Sequence, residues 1–293
     1  MFEEGEIQFF ETALFQATGV QHMVRQFQFV SGGVVNQCVK LDTDHGKFFI
    51  KFNHNQDGAM FSAECKALHL LQQQGCLGIP RVFGEGQAMG FYFLVMEYLD
   101  SRLKKQTYWE QLAQGMAALH QVHAEQFGLH FNNFVSWMPQ HNEPMGSWPD
   151  FFMEKRLQVQ FGLAYYHQRI PVSYLRKLDV LYPRLSEILG EYTPSLVHGD
   201  FWNGNILPGA NGLPYVFDPA PYYGHRETDL AMASLFGGLD EAFFAAYQAI
   251  WPLEPGHEDR RKIYQLYPLM IQVNLYGDAY LPAIDRVLDR FTA

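Results

Sequence analysis

Cysteine is scarce in this chain. Cys38, Cys65 and Cys76 are the three present, an odd number with no CxxC pair. They supply neither a disulfide framework nor a zinc signature. Long apolar runs are missing too, and no window reaches the roughly 20 residues that a membrane helix needs. The first residues, MFEEGEIQFF, are acidic where a secretory leader would carry positive charge ahead of an apolar stretch. Positive charge is itself in short supply: Lys+Arg 21 stand against Asp+Glu 31, a formal net charge of -10. Such a surface repels nucleic acid and anionic lipid, so neither is expected as a partner. There is no internal repeat and no low-complexity tract. Together these absences predict a soluble, cytoplasmic protein with no dedicated protein partner.

What the chain does have is apolar material. Hydrophobic residues make up 48% of its 293 positions and aromatics 16%, enough for a well-buried core in two modest domains or one bilobed unit. Residues 3–18 read as a helix. VRQFQFV (24–30), VVNQCVKL (34–41) and KFFIKF (47–52) read as strands, with DTDHG as a hairpin turn. Residues 56–75 read as a helix with Phe61, Leu68 and Leu71 on one side, and RVFGEG with FYFLVMEYL as a second hairpin. Beyond Leu99 the period changes to that of helices. Trp109, Leu112, Met116 and Leu119 share one face, as do Tyr174, Leu178, Leu181, Leu185 and Ile188, before a stop at Gly190. Residues 150–169, 239–250, 258–276 and 281–290 are further helices by the same reading. The fold class is therefore α+β: an N-terminal antiparallel sheet with one main helix, then a larger, mainly helical lobe. The expected boundary divides residues 1–98 from 99–293.

The helical part is interrupted by LVHGDFWNGNILP, residues 196–208. Gly199 allows a turn, and a carboxylate just past it, Asp200, can take a proton from an attacking hydroxyl. Asn205 offers an amide oxygen to a hard cation such as Mg²⁺, and Asp218, ending the strand-like YVFD, offers a charged one. A base, an amide oxygen and a metal carboxylate are the parts that phosphoryl transfer from Mg-ATP requires. Taken singly, HGD reads as a turn and Asp218 as a helix cap. The combination HGDxxxxN, followed thirteen residues later by an aspartate behind an apolar strand, is far more specific.

The first third holds complementary groups. Gly32 and Gly33, in SGG, let backbone approach phosphates, although a hairpin turn is the plainer reading. Lys51 alternates with apolar neighbours on its strand. Glu64 lies beside the apolar stripe of its helix, where a carboxylate is costly without a partner, and Lys51 is the natural one. Such a pair would orient the lysine on ATP phosphates. GEGQAMG (84–90) has the spacing GxGxxxG within a hairpin and lacks the following helix of a nucleotide loop. His120 and His123 lie three apart on one helix with no third ligand, and read as structural.

The succession SGG, FFIKF, a helix bearing Glu64, VMEYL, LVHGDFWNGN and VFDPA resembles the protein-kinase-like fold of small-molecule kinases. Within it, HGDFWNGNI, DPAPYYGHRETDLAM, LFGG, WPDFFMEKRLQVQ and FGLHFNNFVSWMPQ closely resemble the fructosamine (ketosamine) 3-kinases, from about Val30 onward. The resemblance implies ATP and Mg²⁺ as cofactors and transfer of the γ-phosphate to the 3-hydroxyl of a ketosamine, the sugar adduct of an amine. It implies Asp200 as catalytic base, Asn205 and Asp218 as magnesium ligands, and Lys51 with Glu64 as the phosphate-orienting pair. It makes the backbone of Glu97, Tyr98 and Leu99 the adenine hinge. Asp229 would brace the catalytic loop through backbone hydrogen bonds, and His198 would support it. Trp202 would either face the sugar or pack in the core. Tyr222 and His225 would line the acceptor pocket or pack beneath it. Three departures stand out: Val135 and Ser136 replace a common isoleucine-glycine pair, the phosphate loop has few glycines, and DPA stands where protein kinases have DFG. Another hydroxyl acceptor (a sugar, an amino alcohol or an aminoglycoside) is the alternative reading, and a nucleotide-binding scaffold is a third.

Overall fold

The computed structural model describes residues 4–30, 36–54 and 58–292. Its first part comprises α1 (Glu4–Thr18), β1 (Val24–Phe29), β2 (Gln37–Thr43), β3 (Gly46–Asn53), α2 (Ala59–Gln74), β4 (Val82–Ala88) and β5 (Phe91–Glu97). The five strands form one sheet in the order β1-β2-β3-β5-β4, every neighbouring pair antiparallel. The strand expected over 34–41 runs instead from Gln37 to Thr43. Gly32 and Gly33 lie outside the described residues, so the phosphate-loop reading stays with the sequence.

Two helices, rather than one, cover the sheet, because both of its faces are apolar: Phe93 and Val95 of β5 turn to one side and Leu94 and Met96 to the other. Side chains alternate across a strand, so Ile50 and Phe52 turn to one face, where they pack with Phe9, Phe10, Ala13 and Leu14 of α1. Lys51, paired in register with Leu94, turns to the other, where Leu94 and Met96 meet Phe61, Leu68 and Leu71 of α2. Each such side chain contributes roughly 1.5–3 kcal/mol by leaving water. Lys51 is the cation in that apolar setting, and only 6% of its surface is exposed. GEGQAMG runs along β4 into its turn, with no helix after it.

The second part begins with α3 (Tyr108–His120), a short hairpin of β6 (Asn133–Val135) and β7 (Met138–Gln140), then α4 (Trp148–Phe152) and α5 (Gln158–Tyr166). The helix expected over 150–169 is thus continuous, but residues Met153–Leu157 widen into a π turn. After α6 (Val172–Leu181) and α7 (Leu185–Leu189) the chain stops at Gly190, φ 72°, whose N–H bonds back to Ser186. Four short strands follow: β8 (Ser195–Val197), β9 (Ile206–Pro208), β10 (Pro214–Val216) and β11 (Tyr222–Gly224). The chain ends with α8 (Glu227–Leu235), α9 (Glu241–Ile250), α10 (His257–Tyr276) and α11 (Leu281–Thr292). Apolar contacts from α2 and β5 continue without a break into α3, α8 and α9, so both parts share packing. Among the described residues no helix is long and apolar enough to cross a membrane.

Candidate active site

Two nested hairpins assemble the polar motif. The inner one pairs β9 with β10, and beyond its register the Phe217 N–H donates to the Asn205 carbonyl at 3.1 Å, bringing Asn205 next to Asp218. The outer one pairs β8 with β11, Val197 opposite Tyr222, and the Ala220 N–H donates to the His198 carbonyl at 2.9 Å. Residues as far apart in sequence as Val197 and Tyr222 thereby meet. Gly199 has φ +80°, and a Cβ built there would lie 1.9 Å from the Ala220 carbonyl oxygen, so only glycine fits. Asp218 also sits in the left-handed region, φ 54°, which costs a non-glycine residue energy and marks a constrained position.

Asp200 and Asn205 are joined directly. The Asn205 Nδ2 donates to the Asp200 backbone oxygen at 2.9 Å and to its Oδ2 at 2.8 Å, which leaves the Asn205 amide oxygen as a hard donor. Burial pushes the Asp200 carboxyl up to about 7, with Asp218 and Asp229 adding to the push while the Asn205 hydrogen bond and Lys51 oppose it. His198 is fully buried, which holds its imidazole below the usual range. Its Nδ1 accepts from the Asp200 N–H at 3.3 Å.

Asp229, in the first turn of α8, accepts the His198 and Gly199 N–H groups at 2.7 and 2.9 Å. It also meets His120 Nε2 at 3.1 Å, while His120 Nδ1 lies 2.7 Å from the Tyr247 hydroxyl. With the proton on Nε2, His120 donates to Asp229 and accepts from Tyr247. The structural reading of His120 was therefore sound, but what it supports is the loop itself.

Lys51 bonds to Glu64 at 2.7 Å and to Asp218 Oδ1. Burial works against its charge, yet Asp218 and Glu64 outweigh it and hold the ammonium above the usual lysine range. Burial, reinforced by Asp218, pushes the Glu64 carboxyl up, and Lys51 pulls it back. Two carboxylates, Glu64 and Asp218, thus share one ammonium, and Asp200 is close enough to feel both its charge and that of Asp218. That excess of negative charge and the hard oxygens of Asn205 and Asp218 fit a divalent cation. No three His, Cys, Asp or Glu side chains converge into a metal cage among the described residues. Magnesium, which keeps waters and substrate phosphates as ligands, needs only one or two protein oxygens.

Lys51, Glu64, Asp200, Asn205 and Asp218 line one cleft of about 880 Å³ between the sheet and the helical part, with His198, Asp229 and His120 behind them. Val30, Met96, Leu207 and Phe217 give one half an apolar slot beside Glu97, Tyr98 and Leu99. The other half is walled by the turn of the β6–β7 hairpin, by Trp202 and Phe236, and by Gln272 of α10. Trp202 remains 37% exposed, edge-on to Phe236 at 5.9 Å, and lies over Gly204, where a Cβ would come within 2.2 Å of its ring. It belongs to the cleft and not to the core.

The substrate role open to Tyr222 and His225 is corrected, and the other alternative holds: neither lines the cleft. The β8–β11 pairing turns Tyr222 inward, where it is 2% exposed, 5.8 Å from the Phe151 ring and 4.1 Å from the Arg156 guanidinium. His225 stacks on Tyr192 at 3.7 Å and bonds to the Tyr264 hydroxyl at 2.8 Å. Both pack beneath the site. The residues that sequence reasoning missed are Asn133, Gln140 and Arg156. The signal for the first two lay in FGLHFNNFVSWMPQ, where polar residues interrupt apolar ones too irregularly to show a period, and Arg156 lay in WPDFFMEKRLQVQ.

A strand-rich part and a helical part, with a lysine–glutamate pair facing an aspartate–asparagine–aspartate set across a cleft, define a phosphotransferase of kinase-like fold. The chain belongs to the fructosamine kinase family, whose model, described as Fructosamine kinase, matches residues 7–293. It is 37% identical over 276 residues to "Probable ketoamine kinase slr1563" of Synechocystis sp., covering 93% of this chain and 92% of that one. It is 35% identical over 265 residues to "Probable ketoamine kinase YniA" of Escherichia coli K12, covering 89% and 91%. A Haemophilus somnus 129PT crystal structure, provisionally named a fructosamine-3-kinase, superposes with a TM-score of 0.88 at 26% identity, covering 98% of this chain and 97% of that one. The fold extends to a thermostable mutant of aminoglycoside phosphotransferase APH(4)-Ia in complex with ADP and hygromycin B. There the TM-score is 0.64 at 17% identity, over 96% and 95% of the two chains.

Proposed function

We propose that this protein transfers the γ-phosphate of ATP, with Mg²⁺, to the 3-hydroxyl of a ketosamine. The observation that carries the reading is the joined Asp200–Asn205 pair set beside the Lys51–Asp218 contact within one cleft. Asp200 accepts the proton of the 3-hydroxyl as that oxygen attacks the γ-phosphorus and ADP departs. General-base assistance of this kind supplies about 10²- to 10⁴-fold, and charge stabilisation supplies most of the rest. Lys51, oriented by Glu64, lies against the phosphates. Asn205 and Asp218 would hold magnesium, which neutralises phosphate charge when bound. Asp229 keeps the catalytic loop in register. Residues 1–98 carry the nucleotide, with Glu97–Leu99 along the adenine edge, and residues 99–293 carry the base and the acceptor. Trp202 offers the sugar an aromatic face. The phosphorylated adduct is unstable and decomposes, so the outcome is repair of glycated amines in the cytoplasm.

The test is ADP release from Mg-ATP with fructosyl-, ribulosyl- and erythrulosyl-lysine, with phosphorus NMR to place the new ester and Asp200→Asn as control. A 3-phosphate formed by the wild type and lost in the variant is the expected result. ATP binding without turnover of any of the three sinks the ketosamine assignment.

A further inference from the structure

Asp218 is followed by Pro219, Ala220 and Pro221. Two prolines in four residues leave this segment short of N–H groups, so it cannot be held by a strand ladder. Its one donor at Ala220 is taken by the His198 carbonyl at 2.9 Å. What remains to fasten its far side is the carbonyls of Ala220 and Pro221, and both are met by side-chain amides. Gln140 Nε2 donates to the Ala220 oxygen at 2.9 Å, and Asn133 Nδ2 donates to the Pro221 oxygen at 2.7 Å.

These two amides are locked to each other and to the layer behind. Gln140 Nε2 also donates to Asn133 Oδ1 at 2.7 Å, and the Tyr267 hydroxyl donates to Gln140 Oε1 at 2.9 Å. Asn142 donates to Asn133 Oδ1 at 3.1 Å and accepts from Arg156 Nη2 at 2.7 Å. Arg156, inside the π turn, donates its other arm to the His141 carbonyl at 2.6 Å. Asn133, Gln140, Asn142 and Arg156 are each at most 1% exposed. Buried amides without partners are costly, and a network with nearly all its donors and acceptors matched is correspondingly rigid.

Asn133 and Gln140 are also the two ends of the hairpin whose residues Phe134, Val135 and Ser136, the rest of β6 and the start of the turn, wall the acceptor half of the cleft. The same pair of amides therefore fixes that wall and the Asp218 segment in one frame, and through Ala220 the frame reaches the loop bearing Asp200. We infer that Asn133 and Gln140 are positioning residues that set the acceptor wall against the Asp200–Asp218 pair, with Tyr267 and Arg156 holding them in place. This rests on the kinase reading above, because it assigns the wall to the acceptor.

The experiment compares wild type with Gln140→Leu, Asn133→Ala and the milder Tyr267→Phe, using full-length enzyme, Mg-ATP and the ketosamine that the wild type turns over best. The expected result is an acceptor kcat/KM at least about tenfold lower with the KM for ATP within twofold of wild type. A merely structural role gives the opposite pattern: rates that fall with the folded fraction, both KM values unmoved. That pattern, or wild-type kinetics throughout, overturns the inference. If Gln140→Leu and Asn133→Ala do not fold, the same split in Tyr267→Phe decides. Should the wild type react with no ketosamine, the kinase reading has failed on its own, and hydrogen exchange takes over. Exchange at the Ala220 N–H must then be faster in Tyr267→Phe than in wild type, and unchanged exchange overturns the frame.

Discussion

Replacing Asp200 by asparagine should make the metal-free enzyme more stable while removing its activity. Burial raises the folded carboxyl from 3.8 to about 7. A group with a raised folded pKa favours the folded state below its unfolded value and loses that contribution as pH rises through the folded one. At pH 8 the ionised Asp200 is therefore a burden that asparagine lacks. At about 1.4 kcal/mol per pKa unit the upper limit is about 4 kcal/mol, and the partial exposure of the side chain reduces it to roughly 1–2 kcal/mol. For a chain of this size that is roughly 2–6 °C in Tm. Asparagine can still accept the Asn205 hydrogen bond, so little is lost on the other side. Thermal denaturation in EDTA, without nucleotide, from pH 8 down to pH 5 measures the difference. The gain should shrink to roughly a third of its pH 8 value at pH 5. No gain at pH 8, or a gain that grows on acidification, would refute the burial argument. Turnover of the variant should fall about 10²- to 10⁴-fold.

Gly199→Ala combines a left-handed φ with a clash against the Ala220 oxygen, and should lower stability by more than the about 1–3 kcal/mol of backbone strain alone, read by urea denaturation. Lys51→Met leaves Glu64 and Asp218 without their shared ammonium. It should destabilise by up to about 3–5 kcal/mol, and the double variant with Glu64→Gln should regain much of that stability but none of the ATP turnover. Asp229→Asn loses charge-assisted bonds to two N–H groups and to His120, roughly 1.5–3 kcal/mol each at most. Its kcat should fall more than its KM for ATP, as steady-state kinetics will read.

Much of this was legible in the residue order. The strand bearing Lys51 is largely apolar, and Glu64 beside an apolar stripe pointed to a buried partner, which the 2.7 Å contact supplies. Period says nothing, however, about which of two faces a three-residue strand presents, so the residue order left open whether Tyr222, and His225 just past its strand, line the pocket or pack beneath it. Helix α8 was not anticipated because ETDLAMASL is too short and too buried to display a polar side. The π turn escaped because one extra residue leaves the apolar spacing of a helix nearly intact. The amides of Asn133 and Gln140 act on carbonyls some eighty residues away, a relation that exists only once the chain has folded.

The proline-bounded segment after Asp218 bears on regulation. In a kinase switched by moving the strip behind its metal carboxylate, that strip needs a second resting place. Here it is held on one side by the catalytic loop and on the other by two side-chain amides, and its prolines forbid most alternative backbone shapes. Displacing this strip means breaking all three attachments at once. A switch built on moving this strip would therefore be costly here, whatever controls the enzyme elsewhere.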